Sequence, residues 1–216
     1  MTIGVFDSGI GGRHVAQTIE EALPEDEVLF RHDDPRHFPY ATKTPDQIFE
    51  FVVPVVQSLI DDGCRIVVIA CNTVSTTLIG RLRECFNVPL VAIEPMVKPA
   101  AEYTKTGKIA VCATPTTLAS PRYAELKQRY AANVTVIEPD CADWSRLIEY
   151  DEMNRMRLRE EIEPALRAGV DVIVLGCTHY HWIQNELQSL AGKDVVVMQP
   201  EQAVIEELKR VIARLA

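Results

Sequence analysis

The sequence predicts an α/β protein of two pseudo-symmetric domains, each a mostly parallel sheet flanked by helices. Short β-branched runs alternate with helical segments along the 216 residues, a pattern typical of parallel sheets covered on both faces. The second half also repeats the first: Cys71 and Cys177 end similar apolar runs 106 positions apart, and the same shift relates Ile3 to Ile109. A duplicated fold can place two such thiols on opposite sides of one cleft, so we expect the active site in the cleft between the domains.

Four strands and three helices are predicted in the first half. The strand-like runs are Ile3–Phe6, Val28–Phe30, Ile66–Ala70 and Leu90–Ile93. The helical candidates lie at 11–23, 45–62 and 75–86. Each helix follows a strand, as expected of parallel strands joined by helical crossovers.

The second half repeats this order. Its predicted strands are Lys108–Cys112, Val134–Ile137, Val172–Leu175 and Val195–Met198. Its helical candidates lie at 118–132, 154–168 and 181–191, with a last helix at 201–214.

The predicted domain boundary is discontinuous. The halves close on the similar phrases Glu94-Pro95 and Gln199-Pro200, which we interpret as crossover points. The first domain then comprises 1–94 plus 201–216, and the second comprises 95–200. The final helix is expected to pack back on the first domain.

Composition and charge exclude several classes of function. The net charge of −9 argues against a nucleic-acid groove. No apolar run is long enough to span a membrane, and the chain opens directly into a strand, so neither a membrane protein nor a secreted one is expected. The six cysteines show no disulfide or zinc spacing, which indicates reduced thiols in the cytoplasm and no metal site. The expected partner is a small molecule.

The strongest candidates for chemistry are Cys71 and Cys177, each at a strand end before a helix, where a thiol can be activated. A lone cysteine there is usually a small buried hydrophobe, but two at equivalent repeat positions favour a shared function. Two facing acid/base groups are what a proton-swapping reaction requires, so the leading hypothesis is a two-thiol racemase. The remaining cysteines are assigned to packing or the surface: Cys64, Cys85, Cys112 and Cys141.

Polar residues beside the thiols are candidates for binding. Asp7 and Ser8 open a glycine-rich loop at a strand's carboxyl end, where ligands bind in open α/β sheets. A helix N-cap is the alternative role for Asp7. The loop lacks the third glycine of a dinucleotide fingerprint and the lysine of a phosphate loop. Asn72 and Thr73 offer neutral donors for a carboxylate.

The second thiol has neighbours of the same kind. Thr178 offers another neutral donor, and His179 could orient or activate Cys177 or could be a structural histidine. Thr114 and Thr117 follow the repeat of the Asp7 loop; they could donate to a substrate carboxylate or form a helix cap.

The motifs together resemble those of the glutamate racemases in the aspartate/glutamate racemase superfamily. The resemblance covers almost the whole chain and is carried by the stretches Gly4–Gly12, Pro39-Tyr40, Ala70–Thr73 and Gly176–Tyr180. It implies two pseudo-symmetric α/β domains, no pyridoxal cofactor and no metal. It also implies D-glutamate supply for bacterial peptidoglycan and, by analogy, a homodimer.

The resemblance assigns roles residue by residue. Cys71 and Cys177 fall on the two catalytic thiols, with Asp7 and His179 as their assistants. Substrate-contacting or thiol-assisting positions are Asp7, Ser8, Tyr40, Asn72, Thr73, Thr178 and His179. Ala41, directly after Tyr40, is a further substrate-binding candidate through its backbone N–H. A loop turn anchored by a buried tyrosine is an equally good interpretation of Tyr40 from the residues alone.

Four departures from the family pattern leave the substrate open. Ala41 stands where glycine is usual, Arg13-His14 where small or apolar residues are usual, His181 for proline, and Gln199-Pro200 for Asp-Ser. Aspartate or another amino acid is therefore an alternative substrate. A non-catalytic relative that binds a small acid is a second alternative, and a thiol redox pair that forms a disulfide on oxidation is a third.

Overall fold

The computed structural model describes residues 1–215. The chain folds into two compact units. The first contains Met1–Glu94 and the segment from Pro200 onward, and the second contains Pro95–Gln199. The chain therefore returns to the first unit between Gln199 and Pro200.

Eight strands and ten α-helices make up the described part of the chain. The strands are β1 (Thr2–Asp7), β2 (Glu27–His32), β3 (Ile66–Ile69), β4 (Leu90–Ala92), β5 (Lys108–Ala113), β6 (Thr135–Ile137), β7 (Val172–Gly176) and β8 (Val196–Met198). The helices are α1 (Gly12–Ala22), α2 (Pro45–Asp61), α3 (Asn72–Cys85), α4 (Val97–Tyr103), α5 (Pro115–Leu118), α6 (Pro121–Tyr130), α7 (Trp144–Glu149), α8 (Arg155–Arg167), α9 (Gln184–Ala191) and α10 (Glu201–Leu215). Short 3₁₀ helices occupy Pro35–His37, Tyr40–Thr42 and Thr178–Ile183.

The two units contain sheets of the same design. Their orders are β2-β1-β3-β4 and β6-β5-β7-β8, with all pairs parallel. The registers also agree, since Ile3 pairs with Ile66 in the first sheet and Ile109 with Val172 in the second. These pairs are related by the 106-residue shift seen in the sequence, so the predicted α/β class and its duplication are confirmed.

Helices cover both faces of each sheet, as the alternating pattern requires. In the first unit, α2 and α3 build one apolar cluster, and α1 and α10 build the other. In the second unit, α7, α8 and α9 cover one face, and α4 and α6 cover the other. The sheets are thus buried on both sides, which explains their continuous β-branched runs.

The predicted elements are all present, and three helices are additional. Every strand matches its prediction to within two residues at each end. The prediction missed α4, α5 and α7, which span seven residues or fewer and carry too few turns for a helical period to be visible. The predicted start of α3 at 75 was late, since the helix begins at Asn72. The predicted helix from 181 begins as a 3₁₀ helix and becomes α-helical only at Gln184.

Candidate active site

The predicted thiols, Asp7 and Thr114 lie at or just beyond the carboxyl ends of strands. Asp7 ends β1, and Cys71 follows β3 by two residues. In the second unit, Thr114 follows β5 and Cys177 follows β7. Ligands of open α/β sheets bind at this edge, so each unit presents one thiol where chemistry is expected. The predicted place of the site between the two domains stays a prediction.

The first thiol lies against a hydroxyl. Cys71 immediately precedes α3, and its thiol donates to Ser8 Oγ at 3.3 Å. Both side chains are buried. A hydroxyl can accept from the thiol and donate to the thiolate, so Ser8 can serve Cys71 in either protonation state.

Asp7 is held by the first turn of α1. Its Oδ2 accepts from the Gly12 N–H at 2.6 Å, and the residue is fully buried. A Cβ at Gly12 would lie 2.4 Å from Asp7 Cβ and 2.9 Å from the Phe30 ring, so only glycine allows this close approach. The carboxylate is therefore fixed at a helix N-terminus, which favours its negative charge. Asp7 is not the N-cap, because that position belongs to Gly11.

A buried tyrosine and carboxylate stand beside the first thiol. The Tyr40 hydroxyl donates to Asp33 Oδ2 at 2.6 Å, and His37 Nδ1 contacts the same oxygen at 2.9 Å. Burial raises the pKa of Tyr40 well above its usual value, with further contributions from Asp33, Cys71 and Asp7. The phenol thus remains a donor, and these acidic groups share one neighbourhood.

Asn72 has a buried amide whose hydrogen bonds are unmade. The residue is 2 % exposed, and neither its Nδ2 nor its Oδ1 has a hydrogen-bond partner among residues 1–215. Buried polar groups nearly always have partners, and an exception needs an explanation. The amide offers both donor and acceptor beside Cys71, as a bound amino acid requires. Thr73, the next residue of α3, is also buried.

The second thiol lies against an imidazole held by a carboxylate. Cys177 Sγ is 3.9 Å from His179 Nδ1, and His179 Nε2 is 2.7 Å from Glu149 Oε2. His179 is almost fully buried, whereas Cys177 is partly exposed. A carboxylate on Nε2 fixes the tautomer with a proton there, which leaves Nδ1 as the acceptor facing the thiol.

The loop after β7 is shaped by glycine and by a 3₁₀ helix. A Cβ at Gly176 would lie 2.9 Å from Ala113 Cβ, so the strand end just before Cys177 requires glycine. Thr178 is buried, and its carbonyl oxygen accepts from His181 Nδ1 at 2.6 Å. Tyr180 is buried, donates to the Cys141 carbonyl oxygen, and has a pKa raised by burial.

The remaining predicted residues take local roles in this structure. Thr114 is the N-cap of α5: its Oγ1 accepts from the Thr117 N–H at 3.3 Å and donates to Thr117 Oγ1 at 3.0 Å. The helix cap interpretation is therefore confirmed, and a ligand contact by these hydroxyls stays a prediction. Ala41 lies in the 3₁₀ helix that follows Pro39.

Two site residues escaped the sequence analysis. Asp33 directly follows β2 at the carboxyl end of a parallel strand, so the rule that pointed to Asp7 also applies to it. Glu149 is the last residue of α7, 30 positions from His179. No motif or spacing connects it to the thiol loop, and only the fold brings the two residues together.

Comparison with known proteins identifies the family. The family model described as Asp/Glu/Hydantoin racemase matches residues 3–208. The chain belongs to this family.

Several of the proteins most similar to this chain are glutamate racemases. A glutamate racemase of Pseudomonas paraeruginosa is 38 % identical over 99 % of this chain and 82 % of its own length. A glutamate racemase of Pseudomonas putida is 37 % identical over 98 % of this chain and 81 % of its own. The crystal structure of Escherichia coli glutamate racemase in complex with L-glutamate and the activator UDP-MurNAc-Ala superposes with a TM-score of 0.90. That match has 30 % identity and covers 98 % of this chain and 82 % of the other.

Residues 1–215 contain neither a candidate membrane-spanning helix nor a candidate metal-binding cluster. No helix there combines the length and apolar character needed to cross a bilayer. No group of three or more His, Cys, Asp or Glu side chains there is arranged to hold a metal ion.

Proposed function

We propose that this chain interconverts L- and D-glutamate, with Cys71 and Cys177 exchanging the roles of base and acid on one bound substrate. The observation that carries the proposal is the equivalence of the thiols: each follows the third strand of an identically ordered sheet. Membership of the racemase family and the names of its similar members support glutamate as the substrate.

In this mechanism a thiolate removes the α-proton, and the other thiol protonates the opposite face of the planar intermediate. The reverse direction exchanges the two roles. Each positioned acid or base contributes about 10² to 10⁴ in rate, which is too little for so weak a carbon acid. The remainder comes from donors that stabilise the charge developing on the carboxylate.

Cys177 obtains its base form through His179. The Glu149 contact on Nε2 leaves the Nδ1 lone pair facing the thiol. Transfer of the thiol proton to Nδ1 gives a thiolate beside an imidazolium, whose charge Glu149 stabilises. Glu149 thus acts through His179 and does not touch the substrate.

Cys71 is served by different groups. Ser8 contacts the sulfur directly, and its hydroxyl can turn to donate to a thiolate. Asp7, fixed at the N-terminus of α1, accepts from the substrate ammonium or assists Cys71. The two thiols therefore have the same place in the fold but different proton partners.

Neutral donors are proposed to hold the substrate. The Asn72 amide can donate to the carboxylate through Nδ2 and accept from the ammonium through Oδ1. The first N–H groups of α3 add anion-binding donors, since a helix N-terminus favours negative charge. Additional contacts are proposed for Ser8, Tyr40, Ala41, Thr73, Thr114, Thr117, Thr178 and His179. All of these steps use side chains and backbone of this chain, and we propose no pyridoxal cofactor or metal.

The test is proton NMR of L-glutamate, and separately of L-aspartate, incubated with protein in D₂O containing EDTA and no added pyridoxal phosphate. Chiral chromatography of the same samples measures inversion. We expect loss of the α-proton signal and formation of D-glutamate. Cys71→Ala and Cys177→Ala should each lower inversion by at least about 10², while Cys85→Ala, at an exposed cysteine, should not.

Each other outcome changes a defined part of the proposal. Inversion that persists in either alanine variant excludes the two-thiol mechanism. Inversion of aspartate alone keeps the mechanism and changes the substrate. Inversion of neither amino acid by folded, reduced protein favours a small-acid-binding relative. A disulfide between Cys71 and Cys177 after mild oxidation, without racemisation, favours redox chemistry.

The cellular role follows from the family resemblance. We infer that the D-glutamate supplies peptidoglycan synthesis in the cytoplasm and that the chain works as a homodimer. Growth of a D-glutamate-requiring bacterial strain that expresses this chain tests the supply role. Light scattering of the purified 24.2 kDa chain tests the dimer.

A further inference from the structure

One aromatic side chain of the second unit has no role in the proposed mechanism yet contacts its histidine. The Trp182 and His179 rings meet edge to face, with centroids 5.9 Å apart and an interplanar angle of 89°. Edge-to-face pairs at such distances are favourable and directional. His179 is 1 % exposed and Trp182 is 46 % exposed, so a buried imidazole packs against a half-exposed indole.

The local backbone explains why these two rings meet. His179 and Trp182 are three residues apart in the 3₁₀ helix Thr178–Ile183. A 3₁₀ helix has three residues per turn, so side chains at i and i+3 lie directly above one another. The bond from His181 Nδ1 to the Thr178 carbonyl oxygen also fixes this turn.

The hydrogen bond to Glu149 does not by itself set the direction of His179 Nδ1. The backbone fixes Cβ and the Glu149 bond fixes Nε2, so the ring can still turn about the line through these two atoms. The thiol contact at Nδ1, at 3.9 Å, is long and weakly directional. Trp182 packs edge to face with the ring and limits this rotation.

We propose that Trp182 is a positioning residue for the second thiol, because it fixes the plane of the His179 ring so that Nδ1 remains directed at Cys177. The role of this thiol rests on the proposed function, but the contact with His179 does not. Glu149, Cys177 and Trp182 each contact the imidazole, and His181 packs against the indole at 4.7 Å between centroids.

The test measures thiol reactivity rather than racemisation. Wild type and variants react with iodoacetamide at pH 7, and peptide mass spectrometry follows Cys177 and Cys85 in the same sample. Cys85 is exposed and serves as an internal reference. An imidazole directed at a thiol favours the reactive thiolate. We therefore expect Trp182→Leu to lower the ratio of the Cys177 rate to the Cys85 rate by about threefold or more.

The direction of the change in the Cys177 alkylation rate distinguishes a positioning role of Trp182 from a simple packing role. Loss of packing would expose Cys177 further and accelerate its alkylation, whereas loss of the directed imidazole slows it. His179→Asn should slow it at least as much as Trp182→Leu, and Trp182→Phe should restore most of the rate. Tyr103→Leu, at a half-exposed aromatic residue of the same unit, should leave it unchanged. Trp182→Met repeats the comparison if the leucine variant does not fold.

Two results would overturn the proposal: a Cys177 rate that is unchanged or faster in Trp182→Leu, or one unaffected by His179→Asn. If the protein racemises glutamate, Trp182→Leu should also lower kcat more than it raises KM, because the substrate does not contact the indole in this scheme. A protein that shows the alkylation effect without racemising any amino acid retains the positioning role of Trp182 and loses the proposed function.

Discussion

At the scale of single residues, the two thiols show how a duplicated position acquires different chemistry. Cys71 has a hydroxyl neighbour in Ser8, whereas Cys177 has an imidazole backed by a carboxylate. An imidazole stores a proton near neutral pH and a hydroxyl does not. We infer that Cys177 passes its proton to His179, while Asp7 assists Cys71 and the positively charged substrate ammonium balances the Cys71 thiolate.

Asn72 gives a prediction that separates stability from function. Its buried amide makes no hydrogen bond among residues 1–215, and an unsatisfied buried polar group costs about 1–3 kcal/mol. Asn72→Leu should therefore leave the free energy of unfolding unchanged or raise it by about 1 kcal/mol. The same change should lower kcat/KM for glutamate by about 10² or more, because the amide is proposed to contact substrate.

Urea unfolding followed by far-UV circular dichroism measures the first quantity, and chiral chromatography measures the second. Thr76→Val is the matched control, since this buried threonine of α3 bonds to the Asn72 carbonyl oxygen within the helix. It should lower stability slightly and leave turnover intact. A clear loss of stability in Asn72→Leu would show that the amide has a structural role in the folded protein.

Some site residues can be predicted from the sequence and others cannot, for physical reasons. Asp7 ends an apolar strand, and Cys71 and Cys177 follow apolar strands within two residues, so their place at the sheet edge can be read from the chain. Asp33 obeys the same rule and was overlooked. Glu149 could not be found this way, because its contact with His179 depends on how α7 packs in three dimensions.

At the scale of elements, strands were easier to predict than short helices. The β-branched runs around Ile66 and Val172 are buried on both faces, so each forms an unbroken apolar signal with sharp ends. The six residues of α7 contain fewer than two turns, and their stability comes from tertiary packing of Trp144 and Leu147. Such helices have no independent signature in the sequence.

The returning helix α10 gives the prediction at this scale. Its residues Val204, Ile205 and Leu208 are buried, and Val204 and Leu208 belong to the apolar cluster of the first unit. Truncation of a buried leucine to alanine costs about 2–5 kcal/mol. Leu208→Ala should lower the free energy of unfolding of the first unit by about this amount, and Lys209→Ala, at an exposed position of α10, should not.

Two signals show which unit is affected. Trp144 and Trp182 both lie in the second unit, so tryptophan fluorescence follows that unit, whereas helices of both units contribute to the far-UV dichroism. The dichroism transition in urea should therefore move to lower concentration in Leu208→Ala. An unchanged dichroism transition would mean that α10 contributes little to the first unit in solution.

At the scale of the whole molecule, the net negative charge opposes binding of an acidic substrate, and buried local donors must offset it. The net charge of −9 repels glutamate at long range, although salt screens this field within about 8 Å. Capture must then depend on local donors, and the proposed site supplies neutral ones on buried side chains and helix N-termini. Neutral donors bind the substrate carboxylate without neutralising Asp7 or Glu149, whose negative charges are proposed to assist the two thiols.

Buried phenols in both units give the last prediction, a loss of stability at alkaline pH. Burial raises the pKa of Tyr40, Tyr123 and Tyr180 above the ordinary 10.0. A folded-state pKa above the unfolded value means that the stabilisation is complete below about pH 10 and is lost as pH rises further. The free energy of unfolding should therefore fall above pH 10, by up to about 1.4 kcal/mol per pH unit for each buried phenol.

A comparison of tyrosine variants isolates one phenol from the lysines that titrate in the same range. Tyr40→Phe removes a buried phenol and its bond to Asp33, so the variant should be less stable at pH 8 but should lose stability less steeply from pH 10 to 11. Tyr103→Phe removes an exposed phenol and should keep the wild-type slope. Urea unfolding at each pH gives both quantities. Equal slopes in wild type and Tyr40→Phe would mean that Tyr40 ionises as readily in the folded protein as in the unfolded chain, which its burial beside Asp33, Cys71 and Asp7 opposes.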